Sequence, residues 1–121
     1  MKKILLVEDD EFIADIYANY LKREGYKVDI ARDGQVALEK ARDNYPDLII
    51  LDILLPKMDG WEVLKALRDD PKTENFKVII TSNNNPQSYA EDVTHFKVME
   101  YFLKSETTIE EIVHAVKEAI G

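Results

Sequence analysis

Pro46-Asp47-Leu48-Ile49-Ile50-Leu51-Asp52-Ile53-Leu54-Leu55-Pro56 is the stretch whose reading decides the fold. Leu48 to Leu51 is a short, wholly apolar run between turn-forming residues. It reads as a strand buried on both faces, the kind found in parallel sheets covered by helices. Asp52 closes the run. An unpaired buried carboxylate costs several kcal/mol or loses its charge. Asp52 is therefore placed where the strand leaves the core, at its carboxyl end, the edge at which open α/β sheets bind ligands.

Working outward, Lys2 to Val7 is a second buried strand, ending in the acid run Glu8-Asp9-Asp10-Glu11. Phe12, Ile13, Ile16, Tyr17, Tyr20 and Leu21 then recur at steps of three and four, which predicts a helix from about Glu11 to Glu24, closed by Gly25. Tyr26 to Ala31 is a more polar strand suited to a sheet edge. Asp33-Gly34 opens a helix to about Asn44 with Val36, Ala37, Leu38 and Ala41 inward. Beyond Pro56, Met58-Asp59-Gly60 is a turn, and Asp59 with Glu62 has capping-box spacing for a helix bearing Trp61, Val63, Leu64 and Leu67. Pro71 stops it. Phe76 to Thr81 is a fourth strand, and about Gln87 to Phe96 a weaker helix with Tyr89, Ala90, Val93 and Phe96 inward. Glu100 to Leu103 is a fifth strand. Thr107 or Thr108 caps a last helix striped by Ile109, Ile112, Val113, Val116 and Ile120.

Five βα units in a row imply a parallel sheet with right-handed crossovers. The expected fold is α/β, a doubly wound five-stranded parallel sheet of order 2-1-3-4-5, the (βα)5 flavodoxin-like arrangement, forming one domain over residues 1–121. In that order the acids after the first strand lie beside Asp52. The 121 residues are 45% hydrophobic and 33% charged, with a formal net charge of −8 and no cysteine. This composition is globular and argues against direct nucleic-acid binding, which needs a basic face. No run is long enough to span a membrane, and no signal peptide precedes the first acids, so a cytoplasmic location is expected.

Four strand ends converge on one edge. They supply Glu8 and Asp9, Asp52, Thr81 or Ser82, and Lys104. Clustered carboxylates repel unless a cation sits among them, and all-oxygen donors favour Mg²⁺. A lysine and a hydroxyl in the same place suit an anion. Together they make a phosphoryl-transfer set with Asp52 as nucleophile. Each residue alone has an ordinary reading: acids favour a helix's first turn, a lone Asp after a strand is usually a turn residue, and a lone lysine is usually exposed. Their convergence carries the functional reading. His95, His114 and Trp61 are read as surface or packing residues.

Ile4-Leu5-Leu6-Val7-Glu8-Asp9-Asp10, the Asp52 strand, and Pro56-Lys57-Met58-Asp59-Gly60 match, in order, the motifs of a known family. The chain resembles a response-regulator receiver domain, of the CheY-like family, over essentially its whole length. The resemblance implies that Asp52 accepts a phosphoryl group from a histidine kinase or phosphotransfer protein. It implies Mg²⁺ held by Asp9 directly, by Glu8 through a water, by Asp52, and by the backbone carbonyl of Leu54. The family's hydroxyl lies about thirty residues past the acceptor and its lysine about twenty-two further on, which selects Ser82 over Thr81 and fits Lys104. Tyr101 matches the switch aromatic, and the surface of helix four, strand five and helix five matches the face offered to a downstream output protein or domain. Leu54 and Asn84 stand where the family flanks the attacking water, and Leu54 implies slow self-dephosphorylation.

Three features depart from the pattern. Ser105 replaces the usual proline after Lys104, Lys97-Val98 replaces Gly-Ala before strand five, and Asn83-Asn84-Asn85 is unusually polar. Without proline a cis bond costs about 2.5–4 kcal/mol, which leaves the isomer at Ser105 open. They bear on switching more than on phosphorylation and keep open an inert interaction module. An aspartate-nucleophile phosphatase of the haloacid-dehalogenase type is a remoter alternative, since it needs a second Asp where Leu54 stands.

Overall fold

The computed structural model describes residues 1–83 and 90–121. Its sheet is built from β1 (Lys3–Val7), β2 (Lys27–Ala31), β3 (Leu48–Asp52), β4 (Val78–Ser82) and β5 (Glu100–Leu103). Between and after them run α1 (Glu11–Arg23), α2 (Gly34–Asn44), α3 (Gly60–Asp69), α4 (Ala90–His95) and α5 (Ile109–Ile120). The strands lie in the order β2-β1-β3-β4-β5, every neighbour parallel. The order expected from sequence is the order found, and β3 is buried along its whole length.

Two apolar layers sandwich the sheet. One joins alternate residues of β1, β3 and β4 (Leu5, Ile49, Leu51, Ile80) to Ala37 and Leu38 of α2 and Val63, Leu64 and Leu67 of α3. The other joins Ile4, Leu6, Ile50 and Ile79 to Ala14, Ala18 and Leu21 of α1 and Ile112, Val113 and Val116 of α5. The split follows from the two-residue period of a strand, whose successive side chains face opposite sides.

Element ends follow their local chemistry. Asp10, Asp33, Asp59 and Thr108 are N-caps, their side chains accepting from backbone N–H groups three residues on. Thr108, rather than Thr107, makes the capping box with Glu111, while Thr107 donates to the Leu103 carbonyl. Three strands start later than expected, β1 by one residue at Lys3. Tyr26 is buried, but its N–H donates to Leu21 as part of the α1 exit, so β2 begins at Lys27. Phe76 closes a turn by donating to Thr73, so β4 begins at Val78. On α1 the helical period is as expected, but the buried stripe is Ala14, Ala18 and Leu21, and Phe12 is 74% exposed.

The chain leaves α4 through Lys97, whose φ of 57° is left-handed. Val98 N–H reaches back to Val93 and Lys97 N–H to Thr94, a Schellman exit in which glycine is the usual residue. Lys97 thus stands in the left-handed position of this exit with a side chain where glycine is usual. Arg68 of α3 braces it, its guanidinium donating to the carbonyls of Phe96 at 2.8 Å, Glu74 at 2.9 Å and Phe76 at 2.7 Å. Burial pulls the Arg68 pKa below its ordinary value. Asn84, Asn85, Pro86, Gln87 and Tyr89 lie outside the described residues. No described helix is long and apolar enough to cross a membrane.

Candidate functional site

Glu8 follows β1 and Asp52 ends β3, neighbouring strands paired up to Val7 and Leu51. Both carboxylates are nearly inaccessible, Glu8 at 2% and Asp52 at 4% exposure. Lys104 follows β5 and reaches across the sheet edge to both. Its Nζ donates to Glu8 Oε1 at 2.6 Å and to Asp52 Oδ2 at 3.0 Å. The other Glu8 oxygen accepts weakly from Asp10 N–H at 3.3 Å, and Asp52 Oδ1 from Leu54 N–H at 3.3 Å.

The electrostatics follow from burial plus crowding. Burial pushes the Glu8 carboxyl above its ordinary value; the Lys104 hydrogen bond opposes this, while Asp52 beside it adds to the rise. For Lys104 burial favours the neutral amine, but the Glu8 hydrogen bond and the Asp52 charge outweigh it, and its pKa is raised. Tyr17 of α1, read from sequence only as a helix residue, lies within the field of all three groups; its pKa is raised chiefly by burial.

Asp9 is exposed, yet one oxygen from each of Glu8, Asp9 and Asp52 lies within 4.8 Å of the others. Three carboxylates facing one ammonium leave surplus negative charge. The donors are oxygen, without thiolate or imidazole, so the set suits a hard divalent cation such as Mg²⁺. A cluster able to hold such an ion is therefore present.

The remaining residues named from sequence fall around this cluster. Ser82 ends β4 and is fully buried; Thr81, also buried, is the residue paired with Asp52. Leu54 is 54% exposed just past Asp52. Tyr101 pairs with Ile80 and is half-buried one strand further out. No cis peptide bond occurs among the described residues, so the Lys104–Ser105 bond is trans, within a short 3₁₀ turn at Lys104–Glu106. Lys104 reaches both carboxylates from that turn. Asn84 lies outside the described residues. His95 and His114 are exposed, against Phe96 and Glu118 respectively.

Gly60 has a role that its reading as a turn residue missed. A Cβ there would lie 2.6 Å from the Asp52 carbonyl oxygen and 2.7 Å from Ile53 Cα. Its N–H donates to the Ile53 carbonyl at 2.8 Å. Only a residue without a side chain lets α3 begin this close to the Asp52 main chain. Gly34 packs in a similar way against Val63 and Met58.

A (βα)5 sheet with acids and one lysine gathered at its carboxyl edge defines a flavodoxin-like domain of the CheY type. The response regulator receiver domain profile matches residues 4–117, and the chain belongs to that family, the signalling module of two-component systems. The alkaline phosphatase synthesis transcriptional regulatory protein PhoP of Bacillus subtilis is 54% identical over 67 residues, 55% of this chain and 28% of the regulator. The polar-differentiation response regulator DivK of Brucella ovis is 38% identical over 78 residues, covering 64% of this chain and 63% of DivK. The aligned stretches thus take in less than two thirds of either relative. Among solved structures, a CheY-like receiver domain protein from Methanospirillum hungatei aligns with a TM-score of 0.88 at 29% identity, covering 99% of this chain and 94% of that one. The family's members are signalling domains rather than turnover enzymes.

Proposed function

We propose that this chain is a phosphoacceptor switch in which Asp52 takes a phosphoryl group from a histidine kinase or phosphotransfer protein and partner binding changes as a result. The observation that carries the proposal is the Lys104 ammonium, partly buried and bonded at once to Glu8 and Asp52. A lysine held there meets an incoming phosphoryl group with positive charge at the place where the nucleophile lies.

In this reading an Asp52 carboxylate oxygen attacks phosphorus in line. The new O–P bond forms as the P–N bond of the donor phosphohistidine breaks, and the imidazole nitrogen keeps the electron pair and gains a proton. The product is an acyl phosphate on Asp52. Lys104 shifts from carboxylate to phosphoryl oxygen and offsets its charge, and Ser82 donates a hydrogen bond to another. Glu8, Asp9, Asp52 and the Leu54 carbonyl would hold Mg²⁺, which when bound supplies charge neutralisation on the phosphoryl oxygens. Tyr101 reports the change to the face of α4, β5 and α5, where an output protein or domain docks. The setting is cytoplasmic and residues 1–121 act as one domain, without direct contact to nucleic acid.

Incubation with Mg²⁺ and acetyl phosphate, followed by intact mass measurement, tests this. The expected result is the addition of one phosphoryl group in the wild type and none in Asp52→Asn. An unmodified wild type that also ignores beryllofluoride would make the chain an inert interaction module. Continuous release of phosphate from phosphate esters would make it a phosphatase.

A further inference from the structure

Trp61, the single tryptophan of the chain, occupies the second position of α3, directly after Gly60. Because Gly60 has no room for a side chain against the Asp52 carbonyl, the first turn of α3 is registered on the main chain of the acceptor. From there the Trp61 ring faces two others. Tyr101 of β5 is nearly parallel to it, with ring centroids 6.5 Å apart and planes at 26°. Phe96, at the exit of α4, is 6.4 Å away at 30°. All three are partly buried and pack on the core layer shared by β3, β4, α2 and α3. The backbone carbonyl of Phe96 is held in turn by Arg68 of α3, the helix that carries Trp61. Tyr101 thus rests on a ring carried by α3.

We propose that Trp61 is a positioning residue for the switch: it holds the Tyr101 ring against the core in the unphosphorylated chain. The inward placement of Tyr101 then does not wait for phosphorylation. It is set by α3, whose start rides on the Asp52 main chain through Gly60, in addition to anything Ser82 contributes. The consequence for signalling rests on the phosphoacceptor reading of Asp52; the hold of Trp61 on Tyr101 does not. An aromatic pair of this kind shifts a two-position equilibrium roughly two- to tenfold. Loss of the Trp61 ring therefore releases Tyr101 toward solvent in the unphosphorylated chain.

The test is NMR of ¹³C-labelled tyrosine, with the Tyr101 ring signal identified by its absence in Tyr101→Phe. Broadening by a soluble paramagnetic probe is recorded with and without Mg²⁺ and beryllofluoride, and fluorine NMR reads loading at Asp52 separately. In the wild type Tyr101 is expected to be protected already in the unloaded chain, with loading tightening that protection further. Trp61→Phe, which keeps a ring, is expected to behave likewise. In unloaded Trp61→Leu the broadening of Tyr101 is expected to rise roughly two- to tenfold, while the signal of Tyr26 stays protected.

A wild-type Tyr101 that is exposed before loading and buried after it overturns the proposal without any variant. So does a Tyr101 as protected in unloaded Trp61→Leu as in the wild type. Should Trp61→Leu fail to fold, acrylamide quenching of Trp61 in Tyr101→Leu gives the reciprocal measurement, and unchanged quenching is the overturning result. Absence of bound beryllofluoride in the wild type sinks the phosphoacceptor reading alone, because the unloaded measurements still decide the hold on Tyr101.

Discussion

Replacing Gly60 by alanine is the sharpest single perturbation of the acceptor site. The added methyl would sit 2.6 Å from the Asp52 carbonyl oxygen, 2.7 Å from Ile53 Cα and 2.9 Å from Ile53 Cδ1. Only the last can swing away. Restoring ordinary contact at 3.4 Å requires a separation of at least 0.8 Å between the start of α3 and the end of β3. The Gly60–Ile53 hydrogen bond, now 2.8 Å, would stretch beyond useful length. Overpacking of this kind costs about 1–3 kcal/mol, and the lower chain entropy of alanine returns about 0.5–1 kcal/mol. A net loss of about 0–2.5 kcal/mol is expected in urea unfolding. The effect on chemistry is larger, because a misplacement near 1 Å costs up to about 100-fold in rate. Stopped-flow loading with acetyl phosphate should therefore slow by about 10- to 100-fold. Gly25→Ala is the control: its φ of 97° makes alanine strained, but nothing lies within 4 Å of the added atom. It should lose stability and keep the loading rate. A Gly60→Ala chain that loads at the wild-type rate would refute the claim that α3 is registered on the Asp52 main chain.

Other expectations follow from single contacts. With a leucine at position 54, the phosphorylated chain should keep its phosphate for minutes or longer in Mg²⁺, and Leu54→Asn should shorten that lifetime several-fold; loss within seconds in the wild type contradicts the role given to Leu54. Arg68→Met keeps the aliphatic stem but removes the donors to four carbonyls, the contact to Lys97 being long at 3.5 Å. A loss of about 2–4 kcal/mol and faster amide exchange at the exit of α4 are expected, and unchanged exchange argues against the brace. Lys97→Gly relieves a left-handed side-chain residue and should add about 1 kcal/mol of stability, read as a higher urea midpoint. The Asp33 carboxyl is held below its ordinary value of 3.8 mainly by the Val36 N–H. Its contribution is therefore present above that value and lost as pH falls through the lower folded value. Asp33→Asn keeps the cap oxygen, so its stability should fall less than wild type between about pH 5 and about pH 3.

The parts of this molecule legible in its sequence are those fixed by one-dimensional periods. Leu48 to Leu51 reads as a strand covered on both sides, and five short strand runs separated by helical periods leave little choice of topology. Glu8, Asp52 and Lys104 were found because a parallel sheet sends every strand's carboxyl end to one edge. What the sequence hid depends on distances between segments. Nothing in Met58-Asp59-Gly60 says that the glycine lies against the Asp52 carbonyl, because that contact exists only when α3 is folded back on β3. Arg68 reads as an ordinary helix-surface cation until Glu74, Phe76 and Phe96 converge on it. The period on α1 does not say which half of a broad apolar stripe is buried. The small residues Ala14 and Ala18 face the sheet, where close packing is possible, and Phe12 faces water. Tyr26 and Phe76 look like strand residues by type, but turn hydrogen bonds claim their backbones.

Lys104 is separated from Glu8 by 96 residues and from Asp52 by 52. The counter-charge for the two acids that follow β1 and end β3 thus comes from just past the last strand of the sheet. The edge becomes complete only when β5 has docked against β4. The longest-range polar contact in the site therefore ties this edge to the docking of the last strand: a chain cut before β5 would keep Glu8 and Asp52 in its sequence and lose the ammonium that bonds both.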